Sequence, residues 1–106
     1  MGVDHKARAQ LAWPILAGIA NNKKAPISYV DLGRQIGVHH RAAQYFLNQI
    51  PTFCKENNLP PLHVLAVSKR SRLSGGGCDG APFTRLSQEI EIKKIQKVIW
   101  PTQAPF

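Results

Sequence analysis

The sequence predicts an α+β fold, mainly helical, of the winged helix-turn-helix kind, with a short strand pair and a basic wing. Three stretches predict it. Ile27–Ile50 holds two helical patterns joined at Gly37, Leu62–Val67 is largely apolar on both alternating sets, and Lys69–Gly80 begins with cations and runs into a glycine triplet. A helix pair, then a strand, then a basic loop is the order of parts in such a fold.

The elements follow in chain order. Asp4–Asn22 reads as a helix capped at Asp4, with Ala7, Leu11, Ile15 and Ile19 repeating every fourth residue and Ala12 and Leu16 widening the stripe. Pro14 interrupts it. Either the helix kinks at Trp13 and Pro14, or it begins there with Pro14 near its first position. Trp13, beside an apolar stripe, is expected in the core. The polar run Asn21–Lys24 ends the element.

In the helix-turn-helix, Ser28 caps a helix carrying Val30, Leu32 and Ile36, and Gly37 supplies the left-handed stop. Asp31 is placed to pair with Arg34. In the second helix Ala42, Phe46, Leu47 and Ile50 share a face, which leaves His39, His40, Arg41, Gln44 and Asn48 to the other side. Pro51 then either kinks that helix, with Phe53 continuing its face, or opens a new turn. Leu59-Pro60-Pro61 stops any helix, and a strand over Leu62–Val67 is expected next.

Lys69, Arg70 and Arg72 followed by Gly75–Gly77 read as a flexible wing, the bland alternative being a solvated hairpin. A phosphate loop is excluded because no Gly-Lys-Ser/Thr follows the glycines. Ser87–Trp100 is the last helix, with Ile92, Ile95, Val98 and Ile99 on one face and Glu89 four residues before Lys93; Ile90-Glu91-Ile92 also fits a short strand. Residues 101–106 form an extended tail, and its aromatics either strap across the core or anchor a partner.

Size and charge bound the function. A chain of 106 residues fits one domain, 1–106, with a modest core and no separate catalytic module. Fourteen Lys plus Arg against six Asp plus Glu give a formal charge of +8, which favours polyanionic partners without specifying sequence. Cys54 and Cys78 lack metal-ligand spacing and are expected as reduced thiols. No apolar run reaches a membrane span and no secretory segment is read, so the expected location is cytoplasmic.

Catalytic chemistry finds little support. His39 and His40 are adjacent and diverge on a helix, and no nucleophile, acid and base converge. The expected contacts to double-stranded DNA are instead Tyr29, His39, His40, Arg41, Gln44, Lys69, Arg70 and Arg72. Arg41 leads, because a guanidinium fork holds phosphate or guanine bidentately. Tyr29 either stacks on a nucleotide or fills the joint between elements.

Three segments together, Trp13–Leu16, Ile27–Gly37 and Pro60–Gly80, resemble the winged-helix DNA-binding domain of alkylguanine DNA alkyltransferases and alkyltransferase-like proteins. The likeness covers about three quarters of the chain. The family's proline-cysteine-histidine-arginine motif aligns with Pro61, Leu62, His63 and Val64, so the alkyl-accepting cysteine is replaced by Leu62 and the arginine by Val64. Alkyl transfer at that position is excluded. The resemblance implies minor-groove binding with base flipping, Tyr29 matching the family tyrosine and Arg41 lying near its helix arginine. The chain is also similar to small winged-helix domains of prophage and bacterial proteins that share the Leu59–Leu62 step and a late tryptophan.

The expected function is non-enzymatic duplex binding, either regulatory or directed at altered bases, with no cofactor and no metal. A homodimer reading two half-sites is compatible with it. Two alternatives are an inhibitor or adaptor using Trp100 and Phe106 against a protein partner, and a small nuclease or a thiol transferase using Cys78.

Overall fold

Among the described residues, 5–39, 46–74 and 83–106, the computed structural model has four α-helices, one 3₁₀ helix and a two-stranded parallel sheet. The mainly helical α+β character expected from the sequence is present. Among the described residues, no second strand flanks the basic turn to make a hairpin wing.

Helix α1, His5–Asn21, is the central post, and the other three α-helices and the 3₁₀ helix all pack on it. It continues through Pro14, which lies exposed, as does Gln10, whose carbonyl loses its helical donor on the solvent side. The buried face is not the one the every-fourth-residue pattern selects. It runs Ala9, Ala12, Trp13, Leu16, Ala17 and Ala20, while Leu11 is 55% exposed and Ile15 and Ile19 sit at the margin. Alanines permit close approach by neighbouring elements, and the indole of Trp13 fills the space they leave. Lys23, in the left-handed region at φ 52°, ends α1 as Lys24 N–H donates to the Ile19 carbonyl at 2.9 Å.

Strand β1, Ile27–Ser28, leads directly into α2, Tyr29–Ile36. The Ser28 hydroxyl accepts from Asp31 N–H at 3.1 Å, and Gly37 at φ 76° turns the chain so that Val38 N–H closes onto the Gly33 carbonyl at 2.8 Å. Both punctuation marks fall where the sequence puts them. Asp31 and Arg34 pair at 3.9 Å on the exposed face, a contact worth a few tenths of a kcal/mol at most.

Helix α3, Gln49–Glu56, is a separate helix that carries Pro51 in its first turn, the second of the two sequence alternatives. Asn58, at φ 55°, supplies its left-handed exit, and Leu59 N–H bonds the Cys54 carbonyl at 2.8 Å. Buried Cys54 is a free thiol. Burial pushes its pKa up, with a backbone hydrogen bond from Leu62 opposing in part. Cys78 and the Asp4 cap lie outside the described residues.

The expected strand over Leu62–Val67 is corrected to a 3₁₀ helix, Leu62–Leu65, followed by a two-residue strand β2, Ala66–Val67. All six side chains are buried, so alternation carried no information about backbone form. Helix α4, Arg85–Gln96, begins two residues before the expected Ser87, because Thr84 and Ser87 form a capping box, and it ends four before Trp100. Ile90-Glu91-Ile92 is therefore helical. Ile95 is buried and Ile92 and Val98 are half-buried, but Ile99 falls past the helix end and is 93% exposed. The ion pair formed here is Glu91–Lys94 at 3.4 Å rather than Glu89–Lys93.

The tail is strapped to the core, which corrects the surface-anchor alternative. Asn21 grips Trp100 from both sides of its peptide, accepting from the Trp100 N–H and donating to its carbonyl, each at 2.9 Å. The Trp100 indole donates to the Ile95 carbonyl and that of Trp13 to the Pro101 carbonyl, again at 2.9 Å. Trp13 meets the rings of Phe53, Trp100 and Phe106 edge-on, each at 5.7 Å between centroids.

Trp100→Ala should lower unfolding stability by about 3–5 kcal/mol in urea melts, the usual cost of removing a buried aromatic; a loss below about 1 kcal/mol would place the tail outside the cooperative unit. A second expectation concerns pH. Because the folded thiol of Cys54 has the higher pKa, its contribution is intact below the unfolded value of about 8.5 and is lost as pH rises above it. The Cys54→Ala protein should therefore lose less stability than the parent between neutral and alkaline pH, measured by paired denaturation curves.

Candidate nucleic-acid interface

Two strands of two residues each bring the candidate site together. Ile27 pairs with Ala66 and Ser28 with Val67 in parallel register, so Tyr29 and Ser68 leave the ladder side by side. Tyr29 then begins α2, and Ser68 begins the basic turn. Thirty-nine residues of sequence separation are thereby closed by one register.

The described part of the basic segment is tied, not loose. Ser68 N–H donates to the Leu73 carbonyl at 2.9 Å and Arg72 N–H to the Ser68 carbonyl at 2.7 Å, closing a turn with Lys69 and Arg70 exposed on it. Arg72 takes the left-handed backbone at φ 59°, an unfavourable setting for a long side chain that its surroundings must hold. They do so from two sides. The Arg72 guanidinium donates to the Pro26 carbonyl at 2.9 Å, just before β1. Buried Gln88 on α4 donates its amide N–H to the Arg72 carbonyl at 2.9 Å and accepts from Ser74 N–H at 2.6 Å. The glycine triplet Gly75–Gly77 and the rest of the expected wing to Gly80 lie outside the described residues, and Phe83 N–H returns to the Ser74 carbonyl at 3.1 Å.

Of the eight contact residues expected from sequence, Lys69, Arg70 and Arg72 lie on the turn that leaves the sheet beside Tyr29, and the Arg72 guanidinium reaches Pro26 at the opposite end of β1. Tyr29 is half-buried against the core, so its ring is partly committed to packing, and Arg72 has one guanidinium nitrogen already bonded. His39 is exposed three residues beyond the end of α2, a helix that spans about 10 Å from Tyr29 to Ile36 at 1.5 Å per residue. His40, Arg41 and Gln44 lie outside the described residues.

Sequence reading missed Gln88 and Arg85. Arg85 opens α4 and lines an open cleft of about 360 Å³ with Pro26, Arg72, Leu73, Gln88 and Glu89. The Thr84-x-x-Ser87 spacing was the available signal, since it moves the helix start to Arg85 and puts Gln88 one turn in. Gln88 itself had no signal, because its partners are main-chain groups more than ten residues away.

Other chemistry is not assembled among the described residues. No group of three His, Cys, Asp or Glu side chains could hold a metal, and no helix is long and apolar enough to cross a membrane. His63 is buried against the Phe83 ring at 6.0 Å, and Leu62 is wholly buried. No family model, curated protein or solved structure matches the chain.

Gln88→Leu should strand Ser74 N–H and the Arg72 carbonyl, costing about 1–3 kcal/mol, and should speed hydrogen exchange at the Ser74 amide more than at amides of α1. Equal protection at Ser74 in both proteins would show that Gln88 does not hold the turn.

Proposed function

We propose that the protein binds double-stranded DNA without breaking bonds, using the face on which Tyr29 meets the turn carrying Lys69, Arg70 and Arg72. One observation carries this reading: the parallel register sets Tyr29 beside Ser68, where the turn bearing Lys69, Arg70 and Arg72 begins, and that turn is bonded to Pro26 and to Gln88. Phosphate contacts reward such fixing, because less side-chain and loop entropy is lost when the backbone is already ordered. The formal charge of +8 supplies the long-range attraction. His39, His40, Arg41 and Gln44 belong to the proposed contact set on sequence grounds alone.

The winged-helix likeness to alkyltransferase-like proteins gives the reading its finer form, recognition of an altered base through occupancy. Leu62 and Val64 in the motif positions leave no acceptor thiol there, which accords with binding rather than transfer. The protein-adaptor alternative has less support, since Trp100 is 2% exposed and Phe106 is half-buried against Trp13 and Phe53. Their rings are occupied within the chain.

Fluorescence anisotropy against mixed-sequence duplex, single strand and a duplex bearing an alkylated guanine, at low and physiological salt, tests the reading. Micromolar or tighter duplex binding with a steep salt slope is expected, and a preference for the alkylated duplex is the mark of altered-base recognition. Arg41→Ala with Arg70→Ala should remove most of that binding while the circular dichroism spectrum stays unchanged. Undiminished affinity of the double variant at physiological salt would move the DNA-facing surface elsewhere.

A further inference from the structure

Resting on the duplex-binding reading, we infer that the cleft between the basic turn and α4 seats one backbone phosphodiester, held between Arg72 and Arg85. The two guanidinium side chains come from elements remote in sequence and line the same open cleft. Neither takes part in the ion pairs formed among the described residues, which are Asp31–Arg34 and Glu91–Lys94. Arg72 bonds a neutral carbonyl, so its position is held without an ion pair among the described residues. A guanidinium has five N–H donors, and the Pro26 bond occupies one nitrogen of that fork.

Glu89 lines the cleft with the two arginines, giving a formal balance of +2 − 1 = +1, a net attraction for an anion. Pro26, Leu73 and Ile92 add apolar wall beside the charges, suited to the sugar next to the phosphate. The cleft lies against the turn that bears Lys69 and Arg70, so one strand of DNA can meet both.

Salt-dependent anisotropy on the full chain with a plain duplex separates this inference from the reading beneath it. Arg85 is exposed at the start of α4, and Arg85→Gln keeps a helix-compatible side chain. The expected result is roughly tenfold weaker duplex binding and a log–log salt slope shallower by about 0.9, the value for one lost phosphate contact. Glu89→Gln should tighten binding by roughly threefold through removal of a like charge. Lys55→Gln on α3 removes the same charge away from the cleft and should leave the slope near that of the parent. If the parent binds duplex but Arg85→Gln changes neither affinity nor slope, or changes them no more than Lys55→Gln, the cleft assignment is overturned and duplex binding stands. Absence of duplex binding by the parent overturns both.

Discussion

The fold depends on the docking of the Trp100 segment onto α1. A chain of this size has few large side chains with which to fill a core, and two of the largest, Trp13 and Trp100, meet edge-on beneath the tail. Each indole N–H finds a carbonyl, so burial of the rings strands no donor. Asn21 then locks the Trp100 peptide to the end of the same helix that carries Trp13. The alanine-rich face of α1 follows from this arrangement: one bulky ring and several small neighbours let four other helical elements approach one post.

Against that post the sheet is almost vestigial, yet it does what the helices do not. Two paired residues on each strand fix the relation between the start of α2 and the basic turn. The turn gains its own rigidity from α4 through Gln88, and from the β1 entrance through Arg72. Two segments, the β1 entrance and α4, thus hold one short loop. A left-handed arginine is tolerated there because the surroundings over-determine it.

Local punctuation was legible in the sequence, and packing direction was not. Ser28 and Gly37 bound α2 as their chemistry demands, since capping and left-handed backbone are decided within a few residues. Pro14 was harder. Its missing donor is harmless only because that side of α1 faces water, a fact of tertiary packing. The run Leu62–Val67 was read as a strand because an unbroken apolar stretch looks alike in any fully buried backbone form, and here a 3₁₀ turn leaving Pro61 took four of its residues. Of the candidate site, the cations of the turn and Tyr29 could be named from composition and order. Their meeting could not, and neither could Gln88, whose role exists only once α4 lies against the turn.

The bond from Arg72 to the Pro26 carbonyl separates two sensitivities that ion-paired arginines combine. A guanidinium held by a carboxylate loses part of its orientation when mobile ions screen the pair, so architecture and affinity decline together. Here the anchor is a neutral dipole at short range. Ionic strength would therefore leave the geometry of this loop in place under conditions that slacken a loop held by an ion pair.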